Sequence, residues 1–262
     1  MHILNLLGYG ALDYMVIDQI QRRLHAEVAT LQAPDTLLIW EAKDVYTAGR
    51  RTQPEDIPDT NVPVITMDRG GSVTYHGPGQ LVIYPIVKVK PPKDVVAFVR
   101  NTETAIIDAM RTYEITAAQV EGRSGVWILK EDELDRKLCA IGIKFADDAT
   151  LHGMALNVHT DVDRFMRIIP CGLKDAGVVT LKQLGVNVSL QDVADTMIPH
   201  LTKAYEQFLL RPDSLHEYSK EATEAYIREA HNSLDNAKLP PKTGVAWKAN
   251  MTKGPSARAI GQ

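Results

Sequence analysis

Cysteine, long apolar runs and surplus positive charge are all scarce in this chain. Two cysteines, Cys139 and Cys171, occur among 262 residues. That excludes a disulfide-stapled scaffold and makes both read as free thiols. No stretch approaches the roughly 18 consecutive apolar residues that a membrane helix needs. Lys+Arg 29 against Asp+Glu 33 leaves a net charge of −4, the wrong balance for a general nucleic-acid binder. The spacings C-x-x-C, H-x-x-H and H-E-x-x-H are absent, so no metal site is expected. Also missing are the phosphate loops G-x-x-x-x-G-K-[ST] and G-x-G-x-x-G, and the serine elbow G-x-S-x-G. The opening MHILNLLGYGALDYM has no basic leader and soon reaches Asp13, so a cytoplasmic location is expected.

What the chain does have is ordinary core-forming material, 45% apolar and 24% charged. A mass of 29.0 kDa is enough to bury a sizeable core. Helical spacing predicts helices over 13–32 (Ile17, Ile20, Leu24, Val28, Leu31), over 93–113 (Val95, Val99, Ile106, Met110) and over 189–210. The last opens on Ser189-Leu190-Gln191-Asp192, which resembles a capping box. Short apolar runs at 36–40, 62–67, 81–87, 125–129, 138–145 and 154–158 predict strands. Strands and helices interleave without strict alternation, so the expected class is α/β (α+β): a mixed β-sheet with flanking helices. Composition changes after Arg211-Pro212. Residues 212–237 are polar and predict one exposed helix. Lys238 to Gln262 holds five basic residues, no acidic ones and three prolines, which predicts a flexible segment. The expected division is therefore 1–211 and 212–262.

A few residues carry candidate chemistry. Cys171 sits between Pro170 and Gly172, on a turn, whereas Cys139 lies in an apolar strand and reads as core. Lys137 and Lys144 flank that strand at an odd offset. They face opposite ways, so one of them points into a pocket. Arg69–Gln80, RGGSVTYHGPGQ, has four glycines and a proline and predicts neither helix nor ordinary strand. Gly70-Gly71 allows close backbone approach to a ligand, and Gly77-Pro78-Gly79 makes a tight turn. His76 and His152 read as hydrogen-bonding residues.

Several blocks in fixed order then carry a resemblance: RGGSVTYHGPGQLVIYPI at 69–86, GRSGVWI at 122–128, KLCAIGIK with HGMALNV within 137–158, and IIPCGL at 168–173. Together with Thr47–Arg51 they resemble the lipoyl(octanoyl) transferase family over roughly residues 1–210. The resemblance implies a catalytic domain like that of biotin and lipoate protein ligases. It implies transfer of an octanoyl group from octanoyl-acyl carrier protein, through a cysteine thioester, to a lysine of lipoyl domains. The acceptors it implies are the 2-oxoacid dehydrogenase complexes and the glycine cleavage H protein. By motif position the nucleophile falls on Cys171, and the lysine that lowers its pKa on Lys137. Substrate contacts fall on Arg69, Gly70, Gly71, Ser72, Val73, Thr74, Tyr75 and His76, on Ala140, Ile141 and Gly142, and on Gly153, Met154 and Ala155. No cofactor is implied, because a thioester already supplies the driving force. Two departures stand out. Val178-Val179-Thr180-Leu181 replaces the family's usual Val-Thr-Ser-Leu, and Cys139 stands where alanine is common. Three other readings are an ATP-dependent lipoate ligase on the same fold, a non-catalytic acyl-carrier-binding protein, and a Cys-His hydrolase using His76 or His152.

Overall fold

The computed structural model describes residues 1–57, 62–131, 133–168 and 176–237. Cys171 and everything from 238 onward lie outside the described residues. Among the described residues the strands are β1 (His2–Asn5), β2 (Thr36–Trp40), β3 (Val45–Ala48), β4 (Val64–Thr66), β5 (Thr74–His76) and β6 (Gln80–Ile86). They continue with β7 (Ala118–Val120), β8 (Arg123–Ile128), β9 (Asp135–Ala146), β10 (Ala149–Asn157), β11 (Ala176–Val178) and β12 (His216–Glu217). The helices are α1 (Tyr14–Ala29), α2 (Val95–Arg111), α3 (Val162–Phe165), α4 (Leu190–Tyr205) and α5 (Lys220–Asn236).

The main sheet runs β12-β1-β2-β6-β10-β9-β8-β7, with β11 paired to β9. It is mixed, as the sequence predicts. β1–β2 and β9–β11 are parallel, and β6, β10, β9 and β8 form antiparallel pairs. Strand alternation sorts its core. Leu81 and Ile83 of β6 face the layer of α2 and α4, while Val82, Tyr84 and Ile86 face α1. Phe98 of α2 stacks on Tyr205 of α4 at 4.7 Å between ring centroids. Local signals hold the helix starts. Asp13 accepts from the Met15 N–H, and Asp94 from the Ala97 N–H. Ser189 and Asp192 complete the capping box in both directions.

Two expectations need correction. Within Arg69–Gln80, Thr74–His76 does form a strand, antiparallel to β3 in a second sheet ordered β4-β3-β5. Its glycine-rich flanks hid three residues of ordinary alternation. The helix after 212 is not simply exposed. Thr223, Tyr226 and Ala230 make a narrow buried stripe against α1, where the Tyr226 hydroxyl donates to Glu27 Oε2 at 2.9 Å. β12 also pairs with β1. Among the described residues, no helix is long and apolar enough to cross a membrane.

Candidate functional site

β9 and β10 lie side by side with Ala140 opposite Ala155, Ile141 opposite Met154 and Gly142 opposite Gly153. Over this patch the 69–72 loop and the start of α2 enclose a cavity of about 740 Å³. Its lining includes Lys137, Arg69, Gly70, Gly71, Ser72, Thr74, His76, Ala140, Ile141, Gly142, Gly153, Met154 and Ala155. Three blocks far apart in sequence therefore meet at one wall. Val73 and Tyr75 do not join them. They sit in a separate apolar cluster with Tyr46, Phe165 and Val178 under the second sheet. The cause is the two-residue period of β5 and its approach, which sends Ser72, Thr74 and His76 one way and Val73 and Tyr75 the other. Tyr75 is anchored there by a 2.5 Å bond to Asp44.

Lys137 is 7% exposed, with its Nζ 4.6 Å from the centroid of the Trp127 ring. Lys144, by contrast, donates to Asp68 Oδ2 at 2.6 Å and does not line the cavity. Of the two lysines, the one that points into a pocket is Lys137. Arg69 holds its loop by donating to the Gly70 carbonyl at 2.9 Å and to Thr47 Oγ1 at 3.0 Å. Gly71 has φ +82, a conformation that side chains rarely adopt.

Asp68, just before Arg69, is a hub. Burial would raise its pKa, but bonds from Lys144, Arg22 and His152 hold it well below the usual carboxylate range. These bonds tie the loop to β9, α1 and β10 together. His152 is buried at φ +60, with Nε2 3.0 Å from Asp68 Oδ1 and Nδ1 3.3 Å from Gln21 Nε2. Both ring nitrogens are engaged, with the proton assigned to Nε2 and Nδ1 accepting. Burial keeps the His152 pKa low despite Asp68. His76 is held at Nδ1 by Gln80 Oε1 at 2.8 Å, and burial lowers its pKa to about 4. Both histidines are therefore hydrogen-bonded members of the cavity wall. Cys139 is fully buried in the core, and burial pushes its thiol up to about 12. A thiol held protonated is a poor nucleophile.

Sequence reasoning missed part of the lining: Arg51, Asp56, Tyr84, Arg123, and Val95, Val96 and Val99 of α2. Tyr84 sits in an apolar strand, and Val95 and Val99 on an apolar helix stripe, so each read as core. Val96, off that stripe, lines the cavity and is 70% exposed. Elsewhere, His2, Asp213 and His216 bring ligand atoms within 4.8 Å of one another at the β1–β12 edge, and none of them lines the cavity.

The family described as lipoyl protein ligase A/B catalytic domain matches residues 13–202. The octanoyltransferase of Clavibacter sepedonicus is 46% identical over 203 residues, spanning 76% of this chain and 88% of that protein. The octanoyltransferase of Salinispora arenicola is 46% identical over 200 residues, spanning 76% and 94%. Among solved structures, the bipartite lipoate protein ligase of Thermoplasma acidophilum, studied with its E2 lipoyl domain, has a TM-score of 0.59 at 17% identity, covering 87% of this chain and 90% of that one. Lipoate-protein ligase A bound with ATP has a TM-score of 0.57 at 16% identity, covering 81% and 88%. At such identities the likeness is one of fold, and the fold is that of a lipoate ligase catalytic domain. The chain belongs to the lipoyl protein ligase A/B catalytic domain family. Its relatives by sequence place it with the acyltransferases of that family.

Proposed function

We propose that the protein transfers an octanoyl group from octanoyl-acyl carrier protein to a specific lysine of lipoyl domains, through a thioester on Cys171. The proposed acceptors are the lipoyl domains of 2-oxoacid dehydrogenase complexes and the glycine cleavage H protein, and the proposed setting is the cytoplasm. The observation that carries the reading is a buried lysine, Lys137, opening into a half-apolar cavity in a chain whose relatives are octanoyltransferases. β11 adds support. It lies parallel to β9 with Val178 opposite Lys137, so the chain seven residues beyond Cys171 runs beside that lysine.

In the first half-reaction the Cys171 thiolate attacks the thioester carbonyl, and the carrier leaves as a thiol with a proton from the Lys137 ammonium, which is left neutral. Exchange between two thioesters is nearly isoenergetic. An ordinary thiol with pKa ~8.5 is only a few per cent thiolate at pH 7, so a neighbouring ammonium is needed to favour it. Lys137 is the proposed source of that charge. In the second half-reaction the acceptor amine attacks the thioester, an amide forms and Cys171 leaves as thiolate. Lys137 takes the amine's surplus proton. Backbone N–H groups around Gly70-Gly71 and Gly153 are the proposed oxyanion donors. Ile141, Ile143, Met154 and the α2 valines offer the alkyl chain an apolar wall. At ~0.8 kcal/mol per buried CH₂ it contributes several kcal/mol to binding. In this reading residues 1–211 are the catalytic unit and 212–262 an extension to it.

The test is a transfer assay with octanoyl-acyl carrier protein and a lipoyl domain, with and without ATP. Octanoylation without nucleotide is expected. Labelling that needs free octanoate and ATP would instead assign the chain to the ligases.

A further inference from the structure

The direction of Lys137 comes from an irregularity in the β8–β9 ladder. Val126 pairs with Cys139, but the next β8 residue, Trp127, pairs with Lys137. Three residues of β9 thus oppose two of β8, and Leu138 is the extra one. Such a bulge re-aims the side chains around it. Leu138 and its neighbour Cys139 both enter the same core cluster, while Lys137 lines the cavity.

Gly125 stands against this bulge at φ +118. A Cβ there would meet the Cys139 carbonyl oxygen at 2.5 Å and Lys137 Cε at 3.4 Å. The bare backbone of Gly125 is therefore the surface along which the Lys137 stem lies, with the Trp127 ring near its head. Gly125 is held from the other side. Its N–H donates to Glu103 Oε1 at 2.8 Å, and Glu103, on α2, is 0% exposed. Glu103 Oε2 accepts from Arg100 Nη1 at 2.7 Å, and Arg100 also donates to the Val120 carbonyl at 3.3 Å. The Arg100–Glu103 pair fastens α2 to both strands of the β7–β8 hairpin.

We propose that Glu103 is a positioning residue for Lys137: its buried carboxylate fixes Gly125, and Gly125 fixes the bulge that aims the ammonium into the cavity. This rests on the reading that Lys137 serves acyl transfer. Burying a carboxylate is costly, and the amide of a glutamine would accept the same N–H. A charged acceptor makes the stronger bond.

The test is single-turnover acylation of the full chain by octanoyl-acyl carrier protein, comparing wild type, Lys137→Ala, Glu103→Gln and Glu103→Ala, with a melting curve for each. Glu103→Ala is expected to lose about tenfold or more in the acylation rate constant, with the half-saturating donor concentration within about twofold of wild type. Glu103→Gln keeps the acceptor for Gly125 and is expected to recover part of that loss while remaining folded at the assay temperature. A wild type that forms no acyl-enzyme defeats the catalytic reading itself. If wild type acylates and Lys137→Ala does not, then a Glu103→Ala as fast as wild type overturns the positioning role alone. So does a loss spread equally over rate and half-saturation, a Glu103→Gln no better than Glu103→Ala, or a Glu103→Gln that is unfolded at the assay temperature.

Discussion

Replacing His76 by glutamine should flatten the protein's stability profile below neutral pH. The imidazole is 5% exposed, stacked 5.7 Å from the Tyr14 ring, and bonded through Nδ1 to Gln80 Oε1. Gln80 Nε2 is engaged with the Tyr75 carbonyl and Asn157 Oδ1, so its Oε1 is the acceptor and His76 Nδ1 carries the proton. Burial lowers the pKa from 6.5 to about 4, the Gln80 bond opposing and Arg69 adding to the effect. Because the folded-state pKa is the lower one, the unfolded chain binds more protons in acid. The stability contribution is complete above pH 6.5 and is lost as pH falls towards 4. At 1.36 kcal/mol per pKa unit the full loss is about 3 kcal/mol, of which about 2.5 kcal/mol falls between pH 7.5 and 4.5. For a chain of this size that is roughly 5–10 °C in Tm. Calorimetric melts of wild type and His76→Gln across that range should show the wild-type curve falling further by this amount. A constant packing loss in the variant cancels in the comparison. Parallel curves would mean that His76 already titrates normally and is not the neutral wall member described here.

Cys171→Ser is expected to abolish transfer with its melting curve intact. Cys139→Ser should keep transfer and lose about 1–3 kcal/mol in thermal or denaturant unfolding, from a hydroxyl placed in a fully buried strand. Lys137→Arg keeps the charge but cannot accept a proton near neutral pH. It should acylate at a rate close to wild type and discharge to the acceptor lysine slowly. Stopped half-reactions separate the two steps, and unimpaired discharge removes the base role. Asp35, half-buried and accepting the Lys88 N–H at 2.5 Å, has its carboxyl raised by burial to about 6. Its contribution is full below pH 4 and is lost as pH rises through 6. Asp35→Asn should therefore gain about 2 kcal/mol on wild type between pH 4 and 7.5, read from melts at the two values.

The fold was legible wherever one period ruled a long segment. α1, α2 and α4 stand close to their predicted spans because each carries an apolar stripe and a capping side chain. β5 was not legible, since three residues between glycines give too short a pattern to see. β12, a two-residue edge strand, and β1 beside it are set by tertiary pairing. At the site, the resemblance located Lys137 and the glycine loop. It took Arg69–His76 as one contact surface, whereas alternation divides it and turns Val73 and Tyr75 inward. The role of Glu103 could not be read from sequence at all. A glutamate inside an amphipathic helix looks solvent-facing until the hairpin that covers it is in place.

The account's central claim is that acyl transfer passes through Cys171 under the charge of Lys137. Intact-protein mass spectrometry after incubation with octanoyl-acyl carrier protein, followed by peptide mapping, tests this most directly. The account predicts one octanoyl adduct, on the peptide containing Cys171, which disappears when the lipoyl domain is added and is absent from Lys137→Ala. An adduct on Cys139, or complete turnover with no adduct on either cysteine, would contradict it.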